Sequence, residues 1–220
     1  MKRMHPVQER LVHVQIGQVD LEGHLVIPEA CRGLVLFAHG SGSSRHSPRN
    51  RFVAEHLNAD ALATLLIDLL TTAEEMEDIQ TARLRFDIRL LADRLIGTTD
   101  WLASQPDTRT LPLGYFGAST GGGAALVAAA ARPRLVRAVV SRGGRPDLAG
   151  AALPDVTAPT LLIVGGRDHP VIEMNSRAML EMRCPVKLEI VPGATHLFEE
   201  RGALDAVARL ARDWFIQHLT

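Results

Sequence analysis

Gly117-Ala118-Ser119-Thr120-Gly121 has the spacing of a serine held on a tight turn between two glycines, an arrangement that can expose a hydroxyl for nucleophilic attack. A serine hydroxyl is a weak nucleophile. To take part in acyl transfer it needs a base for its proton, an acid to orient that base, and N–H donors for the oxyanion that forms. Candidates for each follow different apolar runs. Asp168 comes after Thr160-Leu-Leu-Ile-Val-Gly-Gly-Arg167, and His196 comes after Val191-Pro-Gly-Ala-Thr195. The stretch His39-Gly40-Ser41-Gly42-Ser43-Ser44 is rich in small residues that let backbone amides approach a carbonyl, so the N–H groups of Ser41 and Thr120 are the expected oxyanion donors. Asp147 is the reserve acid, because it follows the preceding apolar run.

These groups have to be positioned by the elements around them. Leu111–Phe116 reads as a short buried strand entering the Ser119 turn, and the glycine- and alanine-rich residues 121–131 read as a closely packed helix leaving it. Residues 11–27 alternate apolar and polar around Asp20-Leu-Glu-Gly23, which predicts an antiparallel hairpin turning there. Short apolar runs of parallel-strand character follow at Gly33–Ala38, Ala63–Asp68, Leu113–Phe116, Val136–Val140, Thr160–Val164 and Val186–Val191. Helical patterns alternate with them at 48–58, 83–104, 121–131, 170–182 and 202–219. The acidic Glu74-Glu75-Met76-Glu77-Asp78 reads as a solvated helix start. A hairpin followed by repeated strand–helix units predicts a mostly parallel sheet with helices on both faces, in one domain spanning residues 1–220.

Composition narrows the chemistry. The chain has 220 residues and a formal net charge of −1, so it shows no electrostatic footprint for nucleic acid or an anionic membrane surface. Lys2 and Lys187 are the only lysines, which leaves no lysine for a phosphate loop, a Ser-Lys dyad or a Schiff base. Gly117-x-x-x-Gly121-x-Gly123 matches a nucleotide-binding glycine pattern, but the Tyr-x-x-x-Lys pair that would accompany it is missing, since Tyr115 is followed four residues later by Ser119. Cys31 and Cys184 form neither a C-x-x-C motif nor a disulfide framework. No histidine–carboxylate spacing makes a metal site, so neither metal nor cofactor is expected. Met1–Arg10 lacks the apolar core of a signal peptide and no run is long enough to span a bilayer, so a cytoplasmic protein is expected.

The order Ser119, Asp168, His196 is that of an α/β-hydrolase. The turn at Ser119, the His39-Gly40 loop, Gly165-Gly166-Arg167-Asp168 and Gly193-Ala194-Thr195-His196-Leu197-Phe198 together resemble the dienelactone-hydrolase-like branch of that superfamily, over residues 11 to 219. The resemblance implies an eight-stranded sheet with the catalytic groups on loops at one edge. Dienelactone hydrolases proper use a cysteine nucleophile where this chain has Ser119, so the resemblance points to a serine esterase acting on a small-molecule acyl substrate. Residues 141–159 are too few for a large cap domain. Arg142 and Arg145, beside the expected site, could clamp a substrate carboxylate, although an ion pair with Asp147 would occupy either; Arg45 and Arg49 carry a weaker form of the same idea. The same residues also fit two alternatives, a non-catalytic binding module on this fold and a thioesterase or acyltransferase using the same triad.

Overall fold

The computed structural model describes residues 7–220; Lys2 lies outside them. The chain builds an eight-stranded sheet in the order β1-β2-β4-β3-β5-β6-β7-β8, with no separate cap domain. Strands β1 (Val7–Ile16) and β2 (Val19–Pro28) form an antiparallel hairpin, and β2 also runs antiparallel to β4 (Leu62–Ile67). From β4 onward, β3 (Gly33–Ala38), β5 (Leu113–Ala118), β6 (Val136–Arg142), β7 (Thr160–Gly165) and β8 (Val186–Val191) are all parallel.

The central strands are short because they are buried on both faces. In β3, Leu34, Leu36 and Ala38 enter one core while Val35 and Phe37 enter the other, the period of two expected of a pleated strand. Helices α3 (Ile88–Ser104), α4 (Thr120–Ala131) and α5 (His169–Glu181) cover the first face. Helices α1 (Pro48–Ala59) and α6 (Ala203–Leu219) cover the second, with Val53, Leu57, Val207 and Phe215 fully buried. Helix α4 consists almost wholly of glycine and alanine, and that small cross-section lets it lie close against the sheet directly behind Ser119.

Three local expectations need correction. The hairpin turns at Gly17-Gln18, where Gly17 adopts φ +60°, and not around Asp20–Gly23. Gly23 is a glycine for a different reason: a Cβ there would meet Leu65 Cδ1 at 2.8 Å. The helix expected over 83–104 begins only at Ile88, capped by Asp87, whose side chain accepts the Leu90 N–H at 3.0 Å. Upstream, Asp78 holds the chain in a 3-10 turn over 84–86 by accepting the N–H groups of Leu84 and Arg85 at 2.7 and 3.0 Å. The acidic stretch does lie in a helix, α2 (Thr72–Thr81), started by a reciprocal Thr71–Glu74 capping box, but its Asp78 is buried against Arg85 and is not solvated.

Candidate active site

Ser119 terminates β5 and begins α4 with φ +50° and ψ −121°, a conformation that costs a non-glycine residue about 1–3 kcal/mol and persists only where its surroundings enforce it. The surroundings do so through backbone contacts. Ser119 N–H donates to the Arg142 carbonyl, and its own carbonyl accepts from Gly122 and Arg145 N–H at 2.9 and 3.0 Å. Gly121 passes so close to β3 that a Cβ would lie 2.4 Å from the carbonyl oxygens of Ala38 and His39. The elbow is therefore wedged between the ends of β3 and β6, and its hydroxyl stands at the carboxyl edge of the sheet.

Two loops bring the partners. Asp168 follows β7 and precedes α5, yet its side chain caps nothing in that helix. Its Oδ2 instead lies 2.6 Å from His196 Nδ1. That contact occupies Nδ1 and leaves Nε2 as the ring nitrogen available to Ser119, and His196 and Ser119 line a single cleft of about 250 Å³. Among the described residues Ser119 Oγ makes no hydrogen bond in this conformation, and such contacts commonly tighten only when substrate is bound. The His196 loop is tied down from below, because Thr195 N–H donates to both carboxylate oxygens of Glu200 at 3.1 and 3.0 Å. Those bonds hold the Glu200 carboxyl below its ordinary range. Asp147, the reserve acid, is occupied elsewhere: Arg145 grips it with two bonds of 2.9 and 2.7 Å.

Ser41 and Thr120 are brought together as well, through a contact that sequence reasoning missed. The Ser41 N–H donates to Thr120 Oγ1 at 2.9 Å, so the hydroxyl of the residue after Ser119 draws the Gly40–Ser41 loop onto the elbow. Thr120 N–H, as the first residue of α4, has no acceptor within the helix. His39 anchors the same loop. It is buried, its Nε2 accepts the Leu69 N–H at 3.0 Å, and its Nδ1 therefore carries the proton donated to the Gly40 carbonyl at 3.0 Å. Burial pushes its pKa down, which keeps the ring neutral.

The arginines separate. Arg145 lies on Asp147, and Arg45 ties the loop to Asp68 and Glu22. Arg142 lines the cleft with Ser119 and His196, 7 % exposed, its guanidinium carbon 5.9 Å from the centre of the Phe198 ring. Burial, with the charge of Arg49 close by, lowers its pKa to about 10. Phe198 takes φ +57°, so the loop carrying His196 is bent to set that ring against Arg142. A second depression of about 420 Å³ lies across the His39–Ser44 loop, sharing Gly40, Ser41 and Ser43 with the cleft and reaching Ile79 and Leu91. Among the described residues no group of three or more His, Cys, Asp or Glu is placed to hold a metal ion, and no helix is long and apolar enough to cross a membrane.

Residues 62–217 match the family model described as the dienelactone hydrolase family. The chain belongs to that family. A crystal structure of a dienelactone hydrolase from Anabaena variabilis superposes with a TM-score of 0.97 at 64% identity, covering 98% of this chain and 100% of that one. The ferulic-acid complex of Est1E from Butyrivibrio proteoclasticus, at 17% identity and a TM-score of 0.79 over 94% of this chain and 98% of that one, shares the fold. Proteins from two strains of Mycobacterium tuberculosis, provisionally named phosphoribosyl transferases, are 62% identical over 215 residues, which is 97% of this chain and 47% of theirs. The chain thus spans about half the length of these curated relatives. Ser119 stands between β5 and α4, the elements that this family membership leads one to expect around the turn.

Proposed function

We propose that this protein is a serine hydrolase that cleaves an ester-type bond of a small acyl substrate, with Ser119 as nucleophile, His196 as base and Asp168 as the acid that orients it. The Asp168–His196 contact of 2.6 Å, with His196 lining the same cleft as the strained Ser119, is the observation that carries this reading. His196 Nε2 takes the Ser119 proton as Oγ attacks the carbonyl carbon. Asp168 keeps the proton on Nδ1 and stabilises the imidazolium that forms. The tetrahedral oxyanion is received by the N–H groups of Thr120 and Ser41, the second freed as Thr120 Oγ1 gives way to the stronger acceptor; a donor of this kind contributes about 3 kcal/mol to the transition state. His196 then gives its proton to the leaving alcohol and activates water to release the acid from Ser119.

The transferase name borne by the Mycobacterium relatives attaches to chains about twice as long. The proposal here concerns the part this chain shares with them. Labelling with a fluorophosphonate, together with hydrolysis of p-nitrophenyl esters of increasing acyl length, tests it. Wild type is expected to label and turn over, and Ser119→Ala to do neither while remaining folded. A folded wild type that takes no label and cleaves no ester overturns the reading.

A further inference from the structure

Among the described residues that line the cleft, Arg142 is a buried charge that the reaction above does not use. Its Nε and Nη1 are inaccessible, and among the described residues no acceptor meets them. An unpaired buried guanidinium is costly, and an anion entering the cleft would meet its Nη2, which is not enclosed with the other two nitrogens, and offset the charge. Phe198 holds the guanidinium from one side.

Three further features face the same space. Arg49, on the first turn of α1, lines the cleft and also carries a buried Nε with no acceptor. Its partner is Glu199, a long 3.7 Å away and 65% exposed, too solvated to neutralise it. The N-terminus of α1 opens here too: Pro48 has no N–H, and Asn50 N–H turns back to Ser47 Oγ, which leaves the Arg49 N–H at the positive end of the helix. Ser43 and Ser47 complete the polar wall. Two arginines and the first turn of α1 thus line one cleft whose lining holds no carboxylate, and Asp168 behind it is committed to His196.

We propose that Arg142, Arg49 and the N-terminus of α1 form a phosphate subsite, so that the ester attacked at Ser119 carries a phosphomonoester group. Two separate guanidiniums and the first turn of α1 line the same cleft. A planar carboxylate, with two oxygens and one charge, would satisfy one guanidinium and leave the other unmatched; a tetrahedral dianion supplies three oxygens and the charge to balance both. The phosphate would anchor the substrate and hold its carbonyl over Ser119, so that binding energy from a non-reacting group serves to orient the reacting one. This inference rests on the hydrolase reading for the word substrate, but not for the subsite itself.

Calorimetric titration of the folded protein with inorganic phosphate at constant ionic strength, with sulfate and succinate as parallel arms, tests the subsite directly. Inhibition of p-nitrophenyl acetate hydrolysis by the same anions tests whether it adjoins the nucleophile. Phosphate is expected to bind one to one, to compete with the ester, and to bind at least tenfold more tightly than succinate. Arg142→Met and Arg49→Gln are each expected to weaken phosphate at least tenfold; the second lies at the rim and keeps the test open if the first misfolds. Succinate binding as tightly as phosphate overturns the proposal, and so does phosphate binding that neither variant changes. Ester hydrolysis without phosphate competition removes the subsite and leaves the hydrolase reading. Phosphate binding at these arginines without ester turnover or fluorophosphonate labelling does the reverse.

Discussion

Asp168 Oδ2 lies 2.6 Å from His196 Nδ1 although the two are 28 residues apart, and the carboxylate reaches the ring because it declines the capping role its position before α5 offers. The pairing selects one imidazole tautomer. Asp168→Asn should keep the shape and lose the selection, because a carboxamide can present its NH2 to Nδ1 and turn the proton toward Ser119. Ester kcat is expected to fall by about 10³–10⁴-fold at neutral pH. Asp147→Asn, which touches only the Arg145 pair, is expected to change kcat by less than about twofold. Steady-state kinetics on a p-nitrophenyl ester compares the two directly, and a larger loss in Asp147→Asn would reverse the acid assignment.

Gly121 fixes how closely the elbow approaches β3. A Cβ at that position would stand 2.4 Å from two backbone carbonyl oxygens, neither of which can rotate aside. Gly121→Ala is therefore expected to destabilise the protein by about 3 kcal/mol or more, the upper end of overpacking effects. Urea denaturation gives the value, and a loss under 1 kcal/mol would mean the strand edge yields more readily than its hydrogen bonding suggests.

The strand ends made much of this site legible in the sequence. Each short apolar run broken by glycine marks where a parallel strand leaves the sheet, so the spacing alone puts Ser119, Asp168 and His196 at one edge. What escaped depends on geometry that spacing does not encode. Gly23 looked like a turn residue because a glycine needed for close packing against Leu65 has the same letter as one needed for positive φ. Asp87 looked like a mid-helix residue, since nothing nearby in sequence reveals that Asp78 captures the chain just upstream. Arg142 is legible as a cation near Ser119, but that its Nε and Nη1 meet no acceptor among the described residues arises only when β6, α1 and the Phe198 loop converge. The Thr120 hydroxyl was hidden behind its own backbone N–H, which was the group the elbow pattern pointed to.

That hydroxyl has a measurable role. Accepting the Ser41 N–H, Thr120 Oγ1 holds the Gly40–Ser41 loop, the proposed oxyanion site, against the elbow. Thr120→Val keeps the shape and removes the acceptor, so the loop should relax and kcat fall by about tenfold, close to 1.4 kcal/mol in transition-state stabilisation. Thr120→Ser should retain most of the activity. Equal losses in both variants would show that the methyl group, and not the hydroxyl, is what matters.

His39 makes the same loop sensitive to acid. Its folded pKa lies below the ordinary 6.5 because burial disfavours the imidazolium, and protonation would also remove the acceptor for Leu69 N–H. The unfolded chain takes up the proton first as pH falls. The His39 contribution is therefore fully present above about pH 6.5 and is lost progressively between that value and the lower folded pKa, with a slope of at most about 1.4 kcal/mol per pH unit. Urea unfolding of wild type and His39→Asn across pH 7.5 to 5 isolates this contribution from the other histidines. The wild-type curve should fall more steeply below pH 6.5, and parallel curves would show that His39 is not the group responsible.

Arg142 should cost the protein stability in return for what it binds. Its guanidinium gains only the Phe198 ring contact, about 0.5–1 kcal/mol, against the larger penalty of a buried cation whose Nε and Nη1 meet no acceptor. Arg142→Met fills similar volume without the charge. In anion-free buffer the variant is expected to be more stable than wild type by about 1 kcal/mol or more, the lower bound for relieving an unsatisfied buried polar group. Added phosphate should close or reverse that gap, because a ligand that binds only the folded wild type raises its stability by mass action. Thermal unfolding of both proteins with and without phosphate reads the whole cycle. If Arg142→Met is less stable than wild type in the absence of any anion, the arginine is a packing element of the β6 edge, and its unpaired nitrogens are not waiting for a ligand.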